Sequence, residues 1–324
     1  MFAVLGGSVA LAAFVAATVL ASVALAAAWP AFAWIAGRAP AAARARLLFA
    51  LRSSPAAIGA IVATVLASRA RMGFEPRHAP ESLGAPLAAA AGLGLLLLLV
   101  AVRRAWRSWR AGRDLSRRWT MEGSPVQLPG VALPGYRIVH PWPVVCVVGT
   151  LRPRLFVAEA VLESCTPDEL ASVLAHEAGH VAARDNLKRL FLKLLPDVLA
   201  WIPSGRALEK AWESASEAAA DARAAGARPG AALDLAAALV RVARLAASGA
   251  WVELPARALL DGGSVAPRVE RLLEEDPAPA GRAARLLVAW TVLFAVPVAL
   301  IVSSYEPAVL RIVHQAAELL VQAR

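Results

Sequence analysis

Charged residues are missing from four long parts of the chain. None occurs from Met1 to Gly37, from Ser53 to Ser68, from Ser82 to Val102 or from Leu286 to Tyr305. A helix needs roughly 20 apolar residues to cross a hydrocarbon core about 30 Å thick. The first, third and fourth stretches meet that length alone. The second meets it from Leu47 onward if Arg52 extends to the interface. The pattern therefore predicts transmembrane helices at about 8–28, 47–68, 83–102 and 286–305. The first is too long for a signal peptide and lacks a basic leader.

The stretch between the third and fourth spans is patterned differently. Residues 166–185 read TPDELASVLAHEAGHVAARD. Thr166, Pro167 and Glu169 form a helix start, with an N-cap, a first-turn proline and a capping-box glutamate. Residues 209–223 and 231–247 also read as helices. Val144 to Val148 and Arg154 to Val157 are short β-rich runs, expected as a hairpin or two sheet strands, with an edge free to take an extended peptide. Leu190 to Ile202 is apolar but interrupted by Lys193, Pro196 and Asp197, so it predicts an interfacial or buried helix and not a fifth span. Residues 276–281 read as a linker.

Composition supports this division. Hydrophobic residues make up 59% and charged residues 18% of 324, and the net charge is +10. That excludes a disordered chain, and two cysteines exclude a disulfide scaffold. Cys146 and Cys165 are expected to be packing residues. Arg103, Arg104, Arg107, Arg110, Arg113, Arg117 and Arg118 follow the third span directly, with Trp106 and Trp109 among them. Within this series Arg104, Arg107, Arg110 and Arg113 recur every three residues, which on a helix gives a basic stripe that fits a juxtamembrane helix on anionic lipid, not nucleic acid, and the series as a whole marks a cytoplasmic end. The expected organisation is three transmembrane helices in 1–104 (about 8–28, 47–68 and 83–102), a cytoplasmic domain in 105–285, a fourth transmembrane helix at 286–305 and a short tail at 306–324. The fold class is mainly α: a polytopic membrane protein with an α-rich, zincin-like (α+β) domain between the third and fourth spans. The loop between the second and third spans carries Arg69, Arg71 and Arg77 against Glu75 and Glu81, which weakens the sidedness without reversing it.

The chemistry lies in His176-Glu177-Ala178-Gly179-His180. Residues four apart on a helix share one face, so both imidazoles reach one metal ion, and Glu177 stands beside the open coordination position. Zn2+ there lowers the pKa of a water toward ~7, and Glu177 takes its proton as general base. Two histidines leave a ligand to find. Glu209, Glu213, Glu217 and Asp221 repeat every four residues downstream. Glu217 with Asp221 is the most attractive pair and Glu213 the fallback, and spacing does not separate them. His140 is a candidate to reach the site or a loop histidine. His78 and His314 fall in segments expected outside.

HEAGHVAARDN, the following Trp201 and Pro203, and Glu217-Ala-Ala-Ala-Asp221 together resemble the membrane metallopeptidase family of the beta-lactam sensor-transducers. The run Gly149 to Val157 is similar to that family's strand segment before its HExxH helix. The resemblance implies metal binding by His176, His180 and Glu217, Glu177 as catalytic base, and Asp221 behind a liganding imidazole. It implies a zinc metalloendopeptidase in regulated proteolysis or signalling. The heat-shock-type and prenyl-protein membrane proteases share HExxH and ExxxD, and Asp185 tilts the likeness toward the first family. Only about 19 residues follow the last span and hold no Ser-x-x-Lys motif, so the penicillin-binding sensor domain and direct beta-lactam sensing are not expected. The alternatives are a membrane quality-control protease and a non-catalytic zinc-binding adaptor. The expected partners are a peptide or protein substrate and the lipid bilayer. The expected location is a bacterial inner membrane, multi-pass, with the peptidase domain facing the cytoplasm.

Overall fold

The computed structural model describes residues 2–67, 69, 84–196, 198–247, 265–274, 282–304 and 306–322. The loop 70–83 and the linker 276–281 lie outside the described residues. The apolar runs form helices α1 (Phe2–Gly37), α2 (Ala41–Ile61, continued by a π-helical turn Val62–Ala67) and α3 (Ala85–Glu122). Val4–Gly37, Ala41–Val65 and Ala85–Glu122 are long and apolar enough to cross a membrane. Small residues let these helices approach closely. A Cβ at Gly94 of α3 would meet the Leu11 carbonyl of α1 at 3.1 Å.

Toward the C terminus, α10 (Arg282–Ser303) covers nearly all of the run expected to be the fourth span, and α11 (Pro307–Gln322) follows it. Ala295–Ser303 and Pro307–Ala316 reach spanning length and apolarity only as a pair bent by 91°. The stretch read as a short tail is therefore largely helical.

Helix α3 does not stop where its apolar run stops. It continues for 20 residues beyond Val102 without a break, because Arg, Trp, Leu and Ala are all compatible with helix. Its far end is anchored by Leu115 and Trp119, which are buried in the core of the sheet. The arginine stripe is thus divided. At 1.5 Å per residue, Arg117 stands about 22 Å beyond Val102 along the helix axis. Only the first arginines lie at the end of the span, while the later ones belong to the folded domain.

The sheet contains β1 (Ser124–Val126), β2 (Gly135–Ile138), β3 (Val145–Val148) and β4 (Arg154–Ala158) in the order β1-β2-β4-β3. Strands β3 and β4 form the expected antiparallel pair, with Val145 opposite Val157, and β2 runs parallel to β4. Strand β3 is an edge. After α4 (Glu159–Ser164) come α5 (Pro167–Ala183), α6 (Asp185–Leu194), a 3-10 turn (Leu199–Trp201), α7 (Pro203–Ala225), α8 (Ala231–Ala247) and α9 (Val265–Leu273). The capping box on α5 forms as expected: the Glu169 backbone N–H donates to Thr166 Oγ1, and the Thr166 backbone N–H donates to Glu169 Oε2.

Two apolar clusters organise these elements. One joins the sheet to α5 and α8 through Val145, Phe156, Val173, Leu174, Leu235 and Leu239. The other joins α2 to the elements following α5, through Leu47, Leu48 and Leu51 on one side and Leu199, Leu208 and Trp212 on the other. Helix α7 therefore packs directly on a helix of the membrane group. Arg52 was expected to extend to the interface, but it is buried, with Nη2 4.0 Å from Glu209 Oε2 on α7. Packing of α7 over that side of α2 closes the route to the interface.

Candidate metal centre

The site is assembled where α5 crosses α7. Gly179, inside the HEAGH sequence, makes the crossing possible. A Cβ there would lie 3.2 Å from the Ala220 Cα. A glycine on one helix facing an alanine run (218–220) on the other brings the two backbones together. Gly179→Val is expected to force them apart at a cost of about 1–3 kcal/mol, measurable as a lower Tm together with poorer metal retention. An unchanged Tm would show that the crossing tolerates a side chain.

This approach brings His176, His180 and Glu217 into one group, whose ligand atoms all lie within 4.8 Å of one another. The two Nε2 atoms are 3.2 Å apart. Glu217 Oε2 lies 3.6 Å from His176 Nε2, and Glu217 Oε1 lies 3.6 Å from His180 Nε2. Ligands held at 2.0–2.1 Å around a tetrahedral zinc are about 3.4 Å apart. The donor set thus fits such an ion in both chemistry and spacing, and among the described residues it holds three ligand groups, one fewer than a tetrahedral ion takes. Glu213, the fallback ligand, is not in this group. It lies within electrostatic reach of Lys193 instead.

Each imidazole is held from behind by a carboxylate. His176 Nδ1 donates to Asp221 Oδ1 at 2.9 Å, and His180 Nδ1 donates to Asp185 Oδ2 at 2.8 Å. This turns both Nε2 atoms toward the common centre, since the bond made by one ring nitrogen sets the role of the other. The second pairing depends on the end of α5. Arg184 adopts φ 56°, a left-handed conformation, and the chain reverses so that Asp185 returns to His180. Asp185 also accepts from Ser216 Oγ at 2.7 Å and from Lys188 Nζ at 3.1 Å. Burial opposes its charge, but His180 and Ser216 outweigh that and hold its pKa at about 2. Asp185→Asn is expected to weaken metal binding about 10–100-fold, measured by competition with a chelating dye. Wild-type affinity would show that Asp185 does not orient the ligand.

Electrostatics couple the whole group. For His180, burial disfavours the charged ring, yet Asp185 and Glu217 overcome it and raise the pKa to about 9. For Glu217, burial acts upward, and the two histidines reverse it to hold the carboxyl far below the usual range. Four carboxylates (Glu177, Asp185, Glu217 and Asp221) are buried here, a density of negative charge that cations must offset.

Arg268 supplies part of that offset, and sequence reasoning missed it. It reaches in from α9, with Nε 3.0 Å from Asp221 Oδ2 and Nη2 2.6 Å from Asp221 Oδ1. Its Nη1 lies 3.5 Å from Glu217 Oε2. An arginine 47 residues beyond its partner leaves no spacing signal.

Glu177 lies beside the group. Its Oε2 accepts from the Val147 backbone N–H at 3.2 Å. Burial pushes its carboxyl above the ordinary carboxylate range. Asn186 Nδ2 donates to the carbonyls of Val147 and Gly149 at 3.0 and 3.1 Å. At Val147 the edge of β3, expected to be open for an added strand, is thus occupied by Glu177 and Asn186. His140 is elsewhere: its Nδ1 accepts from the Trp142 backbone N–H at 3.1 Å, and its ring packs edge-on against Trp119. Cys146 is fully buried in β3, and burial, aided by the neighbouring Glu177, pushes its thiol well up.

Residues 147–254 match the family described as Peptidase family M48. The matched segment runs from β3 past α8 and includes His176, Glu177, His180, Glu217 and Asp221. The match is a likeness over about a third of the chain and does not single out the sensor-transducer type. No curated protein and no solved structure matches the chain.

Proposed function

We propose that the chain is an integral-membrane zinc endopeptidase that acts in regulated proteolysis or signalling, with its catalytic segment on the cytoplasmic side of a bacterial inner membrane. The observation that carries this reading is the set of three ligand atoms at zinc spacing beside a buried glutamate. His176, His180 and Glu217 hold the metal, while Asp221 and Asp185 keep the two rings in the liganding tautomer. A bound zinc supplies a Lewis acid that polarises the peptide carbonyl and acidifies the attacking water.

Glu177 does the proton work. The Val147 backbone N–H holds one oxygen of its carboxylate, and we assign the other to the reacting water. That second oxygen takes a proton as the water oxygen bonds to the carbonyl carbon. It returns that proton to the departing nitrogen as the C–N bond breaks. A structural zinc site is closed by four protein ligands and needs no base, so Glu177 and the set of three ligands favour an enzyme over a zinc-binding adaptor. The cytoplasmic placement rests on Arg103, Arg104 and Arg107 directly after the third apolar run.

The test is hydrolysis of an unfolded model protein by the purified chain in proteoliposomes. Chelation is expected to abolish cleavage and added zinc to restore it. Cleavage indifferent to chelation would refute a metal mechanism. Against membrane extracts, one defined product supports regulated cleavage, and many misfolded substrates support quality control.

A further inference from the structure

Three contacts fix the depth of α6 and the 3-10 turn relative to the apolar helices. The Phe191 ring on α6 lies 5.9 Å from the Phe49 ring on α2. Leu199 is buried in the cluster that holds Leu47, Leu48 and Leu51. Arg104 of α3 donates from Nε to the Lys193 carbonyl at 3.0 Å and from Nη2 to the Leu195 carbonyl at 2.8 Å. Phe49 and Leu51 stand where the apolar run of α2 begins. Arg104 stands two residues past Val102, where the apolar run of α3 ends. These independent markers place α6 and the turn at one level, the end of the hydrocarbon-length segments.

At that level the elements present apolar side chains outward. Leu187, Phe191 and Leu194 recur at i, i+4 and i+7, on one face of α6, and are 40%, 42% and 45% exposed. Trp201, at the end of the turn, is 75% exposed. Soluble domains seldom leave such side chains together in water. Around them stand groups suited to a headgroup layer. Trp34 and Trp106 are exposed, Trp34 about one turn before Arg38 and Trp106 about one turn after Arg103. Arg103, Arg107 and Arg110 are exposed on the turns of α3 that follow Val102, and the Arg110 guanidinium lies over the Trp106 ring at 5.3 Å. Tryptophan at the interface and arginine just beyond it match an anionic leaflet.

We propose that α6, the 3-10 turn and the turns of α3 just after Val102 form a docking surface for an anionic bilayer interface, outside the membrane spans themselves. Its apolar face enters the boundary between headgroups and acyl chains, and its arginines meet lipid phosphates. Because α6 begins at Asp185, which holds His180, docking of this face seats the metal centre close to the lipid surface. The proposal rests on reading α1–α3 as membrane spans and is independent of the chemistry at the metal centre.

Site-directed spin labels in the full chain test it, on a Cys165→Ser background with Cys146 buried in the sheet. Labels replace Leu194 and Trp201, with Leu96 in the third apolar run as a lipid reference. Val139 and Leu233, both exposed on the folded domain, serve as water references. In phosphatidylcholine–phosphatidylglycerol vesicles, positions 194 and 201 are expected to collide more with oxygen than with a water-soluble nickel complex, as position 96 does. Positions 139 and 233 are expected to show the reverse. Water-type collisions at 194 and 201 with lipid-type collisions at 96 would overturn the docking surface. Water-type collisions at 96 would overturn the membrane reading beneath it. Low access to both reagents at 194 and 201 would also overturn it, since a protein would then cover the face. Omitting phosphatidylglycerol, or combining Arg107→Gln with Arg110→Gln, is expected to move position 201 toward water. No change in either case would overturn the anionic part.

Discussion

Glu177→Gln is expected to bind zinc as the wild type does and to lose peptide hydrolysis by about 10²–10⁴-fold, the usual contribution of a positioned general base. Glutamine keeps the shape of the side chain and can still accept from Val147 N–H with its oxygen, so the helix crossing and the donors at His176, His180 and Glu217 are undisturbed. What it loses is the ability to take a proton from water and carry it to the leaving nitrogen. It also removes one negative charge from a buried group of four carboxylates, which does not weaken the protein scaffold. The measurements are zinc content and kcat on the same preparation. Loss of both zinc and turnover would make Glu177 a structural element of the site. Retained turnover would mean that the base lies elsewhere.

Glu217→Ala is expected to have the larger effect on the metal itself. It removes one of three ligand atoms and leaves two imidazoles, so zinc affinity is expected to fall by more than the 10–100-fold typical of losing a residue behind a ligand. Turnover falls with it. Glu213→Ala, one helical turn earlier and outside the donor group, is expected to leave affinity near the wild-type value. Competition against a chelating dye measures both variants. Equal losses in the two, or a loss in Glu213→Ala alone, would reassign the third ligand.

Much of this site is local in sequence and was legible for that reason. HEAGH is an i, i+4 pair within one helix, and Thr166, Pro167 and Glu169 mark where that helix starts. The choice between Glu217 and Glu213 was not legible, because both occupy the same stripe of α7. The packing of Gly179 on Ala220 sets the crossing and brings Glu217 to the histidines. Asp185 reaches His180 only because Arg184 takes a left-handed turn, a backbone choice that no periodicity announces. Arg268 comes from a separate helix and depends wholly on tertiary contact.

The same division holds for the fold. The apolar runs indicated α1 to α3, and β-branched residues indicated β3 and β4. Strands β1 and β2 were missed, since Ser124–Val126 and Gly135–Ile138 flank a segment rich in Pro and Gly and carry little alternation. The apolar run ended the third span near Val102 but said nothing of where its helix stops at Glu122, because hydropathy marks the membrane and not the helix. Arg52 was misread because a single span offers no hint that α7 will cover it.

The most direct test of the account is X-ray absorption at the zinc edge on the purified wild-type chain after zinc replenishment. About one zinc per chain, with two imidazoles and otherwise only oxygen donors, is the predicted result. No bound zinc, or a shell containing sulfur from Cys146 or Cys165, would contradict a centre built on His176, His180 and Glu217.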